Sequence, residues 1–458
     1  MNHKDQQKHL LDIAAIQKTL RENTGFFSLS SHSSSNTLRN GHYKKGHHSL
    51  GLSGFTSYLV FNPHEKWITV EPRVTFSDLC EFTLRAGLIP PVVPEFGNIT
   101  VGGAVMGAAL ESSSHRFGQF NDQCLEYEVI LGNGEKILAS PFENSDLFYA
   151  LAGSYGTLGI ITAIKLKLIP AKPYVNLQYF WSTPQEAIHK LTSPIPSDYA
   201  EGIVYHRSEA VVIQAQLSDQ IIGPIHRQNH FWSPWFAQHV QNQRPQKETM
   251  TLKEYLFRYN RGAFWIGRYI LSLPILIRLC FHLGIPTPQT YPLNPSLLQR
   301  LLFGWMFSSE KLYRIWHRVP NEISEKLFLI HDFYTPFPQA AKTLESFMEK
   351  TSLFPIWLCP IQGTHTPQFL SPHYGHDHFL NIGLYGIPQH TSIPTLSAQL
   401  EQEILTYNGR KMLYSFTYYD ELTFDAIYHG NHYRTLRKKY HATDTFPTLH
   451  QKIARITH

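Results

Sequence analysis

Three glycine-rich segments in the first part of the chain constrain its fold more than any other feature. They cover residues 41–49, 100–118 and 153–159, and segments that read as strands separate them. A dinucleotide pyrophosphate needs several backbone N–H groups that converge with no Cβ in the way. The small residues at 102–109 also allow a large planar ligand to lie against the backbone. One glycine-rich turn is usually only a turn, but three in order predict a single dinucleotide-binding domain.

The common phosphate-binding and hydrolytic motifs are absent from the sequence. There is no GxxxxGK[ST] loop, and no GxGxxG opens a helix after a strand. Residues 153–156 (GSYG) are one residue short of a GxSxG elbow, and no HExxH occurs. The glycine-rich segments therefore do not belong to one of the standard nucleotide loops.

Composition excludes several other classes of protein. Charged residues make up 16% of the 458 residues and aromatic residues 13%, and the net charge is +5. An average soluble protein has about 25% charged residues. These values argue against a disordered protein, a collagen, a coiled coil and a nucleic-acid-binding protein. The length predicts two or three domains, and the many rings indicate a large interior or a surface that meets something apolar.

The N-terminal segment and the cysteines indicate a reducing compartment. Residues 1–20 contain no apolar run after their basic residues, so we expect no signal peptide and predict a short amphipathic helix. Four widely spaced cysteines form no CxxC pair and no disulfide framework. We therefore expect a cytoplasmic protein, with peripheral membrane contact as the open alternative. The apolar residues on or near one face of the helix are Leu10, Leu11, Ile13, Ala14, Ile16 and Leu20.

The most apolar stretch, residues 263–286, approaches the length of a membrane span. Arg268, Arg278, His282 and Pro274 interrupt it, and one charge near the bilayer centre costs about 2.5–3.5 kcal/mol. We therefore disfavour a true span and predict a pair of core helices. A peripheral membrane contact and a lid over an apolar ligand are the alternatives.

Strand and helix signals alternate between residues 40 and 170 and predict an α+β domain. Residues 175–400 mix strands with aromatic helices, and 410–458 predict a strand followed by a basic, Tyr-rich helix. The predicted elements of the first domain are strand 66–72, a helix from Thr75 to Arg85 with Asp78 completing a capping box, strands 124–131 and 136–140 around the Asn133–Gly134 turn, and strand 160–170.

The motifs of this domain occur in an order that resembles a known type. TVGG, a small-residue run, (H/R)xG, a strand–NG–strand hairpin, NSDLFYA and GTLGIIT follow one another. This order resembles the PCMH-type FAD-binding domain of p-cresol methylhydroxylase and vanillyl-alcohol oxidase. VEPRVT (70–75), TVGGAVMGAALESSSHRFG (100–118), ENSDLFYA (143–150), GTLG (156–159) and IPAKPYV (169–175) more narrowly resemble the sterol delta-24 reductase family, also called the diminuto or seladin family.

The narrower resemblance covers nearly the whole chain, from HYKKGHH (42–48) through NIGLYG (381–386) to DTFPTLHQKI (444–453). It implies an α+β fold in which a two-lobed PCMH-type FAD-binding domain is followed by an α+β substrate or cap domain, with a C-terminal segment that returns to the flavin. The implied units are an N-terminal helix at 1–27, the FAD-binding domain at 28–172, the cap domain at 173–405 with its apolar stretch 255–316, and the C-terminal segment at 406–458.

Three features depart from the family pattern. Eukaryotic members carry an N-terminal membrane segment, whereas this protein begins with a polar helix, and it carries extra residues around 267–298. Many flavin oxidases of the wider fold attach FAD through a His of the first loop, where His42, His47 and His48 lie here. The first loop of the reductase family does not suggest such a bond, so we expect noncovalent FAD.

The resemblance and the glycine pattern together predict the FAD contacts. Thr100–Gly103, Gly107 and Ser112–Ser114 are expected at the pyrophosphate and ribityl chain. The adenine or ring side is expected to contact Gly156, Thr157, Gly159 and Ile160. Pro94 and Glu95 are expected to frame the loop. The full candidate set is Gly41, His42, His47, Pro94, Glu95, Ile99, Thr100, Val101, Gly102, Gly103, Gly107, Ala108, Glu111, Ser112, Ser113, Ser114, Gly118, Gly156, Thr157, Gly159 and Ile160.

The resemblance implies a two-step reaction on an apolar substrate. NADPH delivers hydride to the flavin, the flavin delivers it to a C=C bond in the side chain of a sterol-like or isoprenoid molecule, and a proton donor completes the reduction. The candidate donors are Tyr385, Tyr414, Tyr418 and His115, because a Tyr or His donates protons near neutral pH when it is well placed.

Two other functions stay open at this point. One is an FAD-dependent oxidase or dehydrogenase of a small alcohol or hydroxy acid, which needs buried cations where the apolar site needs rings. The other is a non-catalytic scaffold without flavin. We expect an apolar small-molecule partner and no nucleic acid, and the oligomeric state is left open.

Two polar clusters are expected to have no role in binding or catalysis. No metal site is predicted, and His373, His376 and His378 are expected in a polar loop. The basic run of Arg434, Arg437, Lys438 and Lys439 is expected on a solvated helix face, with an anionic lipid or a dinucleotide phosphate as the alternative contact.

Overall fold

An N-terminal helix packs one apolar face against the first sheet. Helix α1 spans His3–Glu22, which confirms the predicted helix. Ile13, Ile16 and Leu20 are buried, whereas Leu10 and Leu11 are 58% and 66% exposed. The predicted apolar face was therefore too wide, because only residues three or four apart share one stripe. The computed structural model describes residues 3–30, 42–228, 230–271, 296–316, 327–388 and 391–455.

The first unit is built on a five-stranded antiparallel sheet with the order β3-β4-β8-β6-β7. Two small pairs flank it, the parallel pair β1-β2 and the antiparallel pair β5-β9. Its strands are β1 Phe27–Ser30, β2 His48–Gly51, β3 Tyr58–Asn62, β4 Trp67–Val70, β5 Leu88–Ile89, β6 Cys124–Ile130, β7 Lys136–Ala139, β8 Ile160–Lys167 and β9 Ile169–Pro170. Its further helices are α2 Phe76–Leu84, α3 Val101–Gly107, α4 Ser114–Phe117 and α5 Ser145–Leu151.

Local signals account for several of these elements. Thr75 caps α2 and accepts a hydrogen bond from the backbone N–H of Asp78, as its spacing predicted. β6 and β7 pair as an antiparallel hairpin, and Gly134 takes φ +80° in its turn, a conformation that favours glycine. The predicted helix 75–85 and the predicted hairpin are confirmed.

The second unit is built on an eight-stranded antiparallel sheet with the order β13-β10-β12-β11-β15-β16-β14-β17. The predicted domain boundary at 172/173 lies between the two main sheets, and we keep it as a proposal. The strands are β10 Tyr174–Ser182, β11 Tyr199–His206, β12 Glu209–Ser218, β13 Lys247–Thr251, β14 Leu329–Pro336, β15 Ile356–Gln362, β16 His378–Gly386 and β17 Arg410–Lys411. The helices are α6 Pro184–Thr192, α7 Phe236–Gln243, α8 Leu252–Leu256, α9 Ile266–Leu271, α10 Leu297–Phe303, α11 Ser309–Trp316, α12 Ala340–Thr351 and α13 Ile393–Thr406.

The C-terminal segment leaves the second sheet and packs on the first unit. Helices α14 Glu421–Ile427, α15 Gly430–Lys439 and α16 Leu449–Ile453 follow β17. Tyr440 donates a hydrogen bond to Asp146 of α5 at 2.6 Å, and Lys439 forms an ion pair with the same carboxylate at 2.6 Å. This return to the first unit agrees with the predicted fold class.

The apolar stretch at 263–286 begins inside the protein core. Phe264, Trp265, Ile266 and Tyr269 are all buried, and this part supports the prediction of core helix. The rest of the stretch, from 272 onwards, lies outside the described residues, as does most of the insertion at 267–298. Among the described residues, no helix is both long enough and apolar enough to cross a membrane.

Candidate active site

The three glycine-rich segments meet at one edge of the first unit. The backbone N–H of Tyr155 in the third segment donates to the carbonyl of Met106 in the second at 3.2 Å. The Met106 sulfur also accepts from Gly156 N–H at 3.2 Å. Lys452 of α16 lies 5.2 Å from the ring of Tyr43 in the first segment and donates to the carbonyl of Tyr155. The second and third segments are therefore in direct contact, and Lys452 links the third segment to the first.

The second segment offers a flat face rather than free N–H groups. Thr100 caps α3 and accepts from Gly103 N–H at 3.2 Å, while Val101 and Gly102 donate to carbonyls of 74 and 72 at 2.9 Å. These N–H groups are thus engaged within the protein. Thr100, Gly103, Met106 and Gly107 are the accessible or partly accessible residues at helical spacing, and the two glycines leave room on this face for a planar ligand.

Close packing accounts for other members of this segment. A Cβ on Gly102 would lie 2.6 Å from Cβ of Pro72, so this glycine brings α3 against the preceding turn. Ala108 is buried and ends α3 with φ +53°, and Ile99 accepts a hydrogen bond from Phe76 at 2.9 Å. Gly118 has φ +69° and packs against Asp122. Pro94 lies in the buried turn before α3.

The serine run after α3 joins the two units. Ser112 lies 3.2 Å from the hydroxyl of Tyr255, and its carbonyl accepts from Ala200 N–H at 2.8 Å. The Ser114 hydroxyl accepts from Glu111 N–H at 3.0 Å. Among the described residues, the Ser113 hydroxyl has no hydrogen-bond partner although it is buried. A buried polar group of this kind needs a partner, so Ser113 fits a polar group of a bound cofactor.

His115 lies in the same run and links two backbone segments. Its Nδ1 lies 3.0 Å from the carbonyl of Ser112 and its Nε2 3.0 Å from the carbonyl of Ser197. Burial lowers the pKa of His115, although both carbonyl contacts oppose this. Both nitrogens are occupied by backbone atoms, so the structure gives His115 the role of a link between segments and not that of an exposed proton donor.

The third segment is held largely by protein contacts. The buried Thr157 hydroxyl donates to the carbonyl of Ser154 at 2.8 Å and accepts from Tyr433 at 2.7 Å. A Cβ on Gly159 would lie 2.7 Å from Val129, and Ile160 is buried. Gly156, with φ +74°, is the member whose Cα hydrogen faces Leu29 and Lys452, with the Lys452 Nζ atom 3.9 Å from the Cβ position. Gly156 is itself buried, and its N–H is already engaged by the Met106 sulfur.

The first segment is only partly described. Gly41 lies outside the described residues, and His42 begins a short 3₁₀ turn, His42–Lys44. His47 Nδ1 lies 2.7 Å from the hydroxyl of Ser28, and burial together with the charge of Lys452 lowers the pKa of His47. His48 Nε2 lies 3.0 Å from the carbonyl of Thr24.

A buried carboxyl in the second unit unites two of the predicted proton donors. Tyr385 donates to Oδ1 of Asp332 at 2.8 Å, and Tyr414 donates to Oδ2 at 2.8 Å. Asn381 adds a third hydrogen bond to Oδ1 at 2.7 Å. We call Asp332, Tyr385, Tyr414 and Asn381 the acid cluster.

The register of two strands builds the acid cluster. Asp332 of β14 pairs directly with Gly383 of β16. Because alternate residues of a strand share a face, Asn381 and Tyr385 flank the position that Gly383 leaves empty. A Cβ on Gly383 would lie 2.8 Å from Oδ1 of Asp332. The glycine in NIGLYG is therefore required for the carboxyl to reach both neighbours.

Burial favours the protonated forms of the acid cluster. Burial raises the pKa of Asp332, although its three hydrogen bonds oppose this. Burial and the Asp332 charge also raise the pKa of Tyr385 and Tyr414 well above the usual range. The two phenols therefore stay neutral, and the Asp332 carboxyl keeps a proton to higher pH than an exposed aspartate does.

Glu95 connects this cluster to the second glycine segment. Burial and the neighbouring charge of Glu111 raise the pKa of Glu95 well above its usual range, and Asp332 contributes in the same direction. Glu95 lies one residue before Phe96, whose carbonyl accepts from Ile99 N–H at 3.0 Å. Glu95 is thus a second carboxyl that favours its neutral form, and the charges of both Glu111 and Asp332 contribute to this shift.

Aromatic rings surround the acid cluster. Phe264 stacks on Tyr385 at 5.0 Å between ring centroids and on Tyr259 at 4.4 Å. Phe96 contacts Phe264 edge-on at 5.7 Å and Tyr313 at 5.8 Å. We call these rings, together with Trp265 and Trp357, the aromatic cluster. Several of the many aromatic residues in the sequence are thus packed around the acid cluster.

Tyr418 lies apart from the acid cluster. Its backbone N–H donates to Glu401 at 2.8 Å, and burial with the Glu401 charge raises the pKa of its phenol to about 12. Within the described residues, no hydrogen bond joins Tyr418 to Asp332. Asp332 and Asn381 were absent from the predicted site, although a lone carboxylate inside the apolar strand LIHDFYTP was a signal that could have found the first.

The buried cations are paired with protein groups. Arg258 contacts Glu111 at 2.5 Å and Glu201 at 2.8 Å, and Lys411 contacts Glu401 at 2.6 Å. Arg437 donates to the carbonyl of Thr157 at 2.6 Å and to carbonyls near the C-terminus. The prediction that Arg437 lies on a solvated helix face is therefore wrong, because its side chain points inward and satisfies carbonyls of the last turns of the protein.

The three histidines of the predicted polar loop at 373–378 lie in different surroundings. His373 is fully buried, and its Nε2 lies 2.8 Å from Asp122 of the first unit. Its Nδ1 lies 2.8 Å from the Ser371 hydroxyl. His378 stacks on Phe337 at 5.2 Å. His373 therefore links the two units, while His376 and His378 do not join it.

The residues at the glycine segments fit FAD. The accessible face of Thr100, Gly103 and Gly107 accepts a planar group, the Ser113 hydroxyl lacks a partner among the described residues, and Lys452 brings a positive charge beside Gly156. A hydroxyl and an ammonium are suitable contacts for a pyrophosphate or a flavin oxygen.

Comparison with known proteins agrees with this geometry. A family model described as FAD binding domain matches residues 9–140. The Delta(24)-sterol reductases of Rattus norvegicus and Homo sapiens are each 30% identical to this protein over 433 residues, covering 92% of its length and 80% of the relative. The enzyme of that name from Arabidopsis thaliana is 26% identical over 462 residues, covering 91% and 78%. These matches extend over both units, and the chain belongs to the Delta(24)-sterol reductase family.

Proposed function

We propose that this protein is an FAD-dependent oxidoreductase that reduces a C=C bond in the side chain of a sterol-like substrate with electrons from NADPH. The observation that carries the proposal is the acid cluster, in which the buried Asp332 carboxyl accepts hydrogen bonds from two phenols among aromatic rings. Family membership supports the cofactor and the substrate class. An apolar skeleton offers few polar handles, so rings are the suitable lining.

FAD supplies the hydride when it is bound, and the residues of the second glycine segment would hold it. Thr100, Gly103 and Gly107 would lie against its planar part, Ser113 would donate a hydrogen bond, and Lys452 would face its negative charge. We expect this binding to be noncovalent, because His47 and His48 are engaged by Ser28 and by the Thr24 carbonyl.

The acid cluster would supply the proton. An isolated C=C bond has no carbonyl oxygen to accept negative charge, so a proton must reach one carbon before or while hydride reaches the other. When Asp332 is protonated it can donate to Tyr385 or Tyr414, and the O–H of that phenol then turns to the substrate. The phenol gives its proton to carbon as it receives one from Asp332.

The rings around the cluster would assist this step. Protonation places positive charge on the second alkene carbon, and the faces of aromatic rings attract positive charge. Phe264 and its neighbours also exclude water, which would otherwise capture that carbon. The net change is the addition of one proton from the protein and one hydride from the cofactor across the C=C bond.

The fully buried cations among the described residues do not suit the alternative function, oxidation of a hydroxy acid. A carboxylate substrate needs a buried cation that is available to it. The buried cations Arg258 and Lys411 are already paired with glutamates at 2.5–2.8 Å. The site therefore favours the apolar substrate.

The proposal is tested by separating the two half-reactions in the absence of oxygen. We expect Asp332→Asn to leave flavin reduction by NADPH unchanged and to slow reoxidation by desmosterol by about 10²–10⁴-fold, the usual contribution of a general acid. Tyr418→Phe, which alters a phenol outside the cluster, should leave both rates unchanged.

Folding of the variants is checked by flavin content and melting temperature. If Asp332→Asn loses flavin, Tyr385→Phe and Tyr414→Phe remove one phenol each and keep the carboxyl. Reoxidation by desmosterol at the wild-type rate in all three variants would exclude the acid cluster as the proton source.

Peripheral membrane contact through residues 263–286 remains part of the proposal. A sterol resides in the bilayer, so an enzyme that takes it up benefits from such a contact. Flotation with phosphatidylcholine vesicles tests it, and failure of the protein to float would contradict it without affecting the assignment of the acid cluster.

A further inference from the structure

Three potential metal ligands lie together at the edge of the second sheet, away from the acid cluster. His226 lies in the loop before α7, His239 lies on α7, and Glu248 lies on the edge strand β13. One ligand atom from each residue lies within 4.8 Å of the others. Three separate elements thus bring two imidazoles and one carboxylate to a single point.

The contacts within this group leave one imidazole nitrogen unused. His239 Nε2 lies 2.7 Å from Oε1 of Glu248, and the rings of His226 and His239 stack at 3.7 Å between centroids. The Nε2 atom of His226 is buried and has no hydrogen-bond partner among the described residues. Such a buried nitrogen requires a ligand or a donor, which a simple ion pair between His239 and Glu248 does not provide.

The surroundings orient the carboxylate. Tyr179 of β10 donates to Oε2 of Glu248 at 2.9 Å, while Oε1 faces His239. Hydrogen bonds of this kind to the free oxygen of a ligating carboxylate are typical of metal sites. The loop that carries His226 also packs closely on β13, because a Cβ on Gly223 would lie 3.1 Å from the backbone of Glu248.

We propose that His226, His239 and Glu248 form a binding site for a zinc-like divalent cation that ties the loop and α7 to the edge strand. Two imidazoles and a carboxylate are a ligand set that Zn²⁺ accepts, with water in the fourth position. Ligand atoms around a tetrahedral ion at about 2.0–2.1 Å lie about 3.3 Å apart. To reach that geometry from their present spacing, the side chains must rotate so that the two stacked imidazole rings separate and face the ion.

The test measures Zn²⁺ retained by the full-length holoprotein, produced without a histidine tag. Because the sequence has 26 histidines, the protein is loaded with Zn²⁺ and then dialysed against a weak chelator that removes loosely bound ions. We expect the wild type to retain one equivalent per molecule, and His226→Gln and His239→Gln to retain none. Tyr179→Phe should weaken binding by about 10–100-fold, as loss of a ligand's supporting hydrogen bond does.

The matched control is His230→Gln, which removes an exposed histidine of the same loop region that stacks on Trp232. It should retain one equivalent. Co²⁺ substitution adds an independent readout, because a tetrahedral site gives visible absorption that the two ligand variants should lack. If the wild type retains no more Zn²⁺ than the ligand variants, or gives no Co²⁺ spectrum, the site is only an ion pair and the proposal is overturned.

Discussion

Asp332 illustrates how a single residue depends on distant positions for its chemistry. Its two phenolic partners are 53 and 82 residues away in sequence, and its position opposite Gly383 follows from strand register. Because the carboxyl is buried, its pKa is raised. The protonated form, which the proposed step consumes, is therefore favoured at low pH and lost as the pH rises through that raised pKa.

The raised pKa of Asp332 predicts how the rate of one half-reaction depends on pH. We expect the rate of flavin reoxidation by desmosterol in the wild type to fall as the pH rises, because Asp332 loses its proton. In Asp332→Asn the slower residual rate should be independent of pH over the same range. Stopped-flow absorbance of the reduced flavin under anaerobic conditions measures both rates.

Glu95 provides the control for this profile, since burial also raises its pKa. Glu95→Gln retains Asp332, so its rate of flavin reoxidation should still fall as the pH rises. We call this fall the falling limb of the profile. A limb that disappears in Glu95→Gln and persists in Asp332→Asn would assign the proton to Glu95 and contradict the role given to Asp332.

At the residue scale, the sequence named Tyr385 and Tyr414 as candidates because a phenol can donate a proton. The structure places both of them on one carboxyl. Sequence reasoning did not anticipate Asp332 or the engagement of His115, because both depend on partners far along the sequence. Ser112 and Ser113 are neighbours in one run, and only the fold shows that Ser112 contacts Tyr255 while Ser113 lacks a partner among the described residues.

At the scale of elements, α15 holds the third glycine segment in place. Tyr433 donates to the Thr157 hydroxyl at 2.7 Å, and Arg437 donates to the Thr157 carbonyl at 2.6 Å. Arg437 also donates to the carbonyls of Ala442 at 2.9 Å and Pro447 at 3.2 Å. One buried guanidinium therefore joins the helix, the C-terminal turns and the third glycine segment.

We expect Arg437→Met to lower the stability by about 3 kcal/mol, because several buried carbonyls lose a charged donor. The third glycine segment should loosen at the same time, so that the protein releases FAD more readily on dilution. Thermal unfolding and flavin fluorescence measure the two effects. Lys438→Met, at an exposed neighbouring position on the same helix, should change neither, and an Arg437→Met protein with unchanged flavin release would contradict this role for α15.

Elements that depend on neighbours in sequence were predictable. The Thr75 cap and the Asn133–Gly134 hairpin are formed by groups only a few residues apart, so their residue types suffice. The basic run at 434–439 was misassigned at Arg437 because charge alone does not tell which side of a helix faces carbonyls of a later segment. Helical spacing likewise predicted α1 but overstated the width of its buried face.

At the scale of the whole molecule, Arg258 joins the two units. It pairs with Glu111 of the first unit and Glu201 of the second, and Tyr259 and Trp357 also donate to Glu201 at 2.9 and 2.7 Å. Two buried carboxylates thus share one cation and two neutral donors. Removing the cation leaves negative charge without compensation in the interior.

We expect Arg258→Met to lower the free energy of unfolding by about 3–5 kcal/mol. Arg116 also pairs across the two units, with Asp198, but its side chain is 45% exposed. Arg116→Met should therefore cost only about 0–1 kcal/mol. Denaturant unfolding of both variants makes the comparison, and equal losses would show that burial of the pair does not determine its contribution.

The α+β architecture and the flavin domain were predictable because the glycine segments occur in a characteristic order along the sequence. The pairing of Arg258 with both units was not, since Glu111 and Glu201 lie 147 and 57 residues from it. Charged residues are few in this sequence, and some of them form buried pairs of this kind. The high content of aromatic residues indicated that the protein contacts something apolar. In the fold, several of these rings pack around the cluster that contains Asp332.

The central claim, reduction of an apolar C=C bond by the bound flavin, is tested most directly by one anaerobic experiment. The purified holoprotein is reduced with NADPH and then mixed separately with desmosterol, with oxygen and with a keto acid. The account predicts that desmosterol reoxidises the flavin and is recovered with a saturated side chain. Reoxidation by the keto acid alone, with desmosterol recovered unchanged, would contradict it.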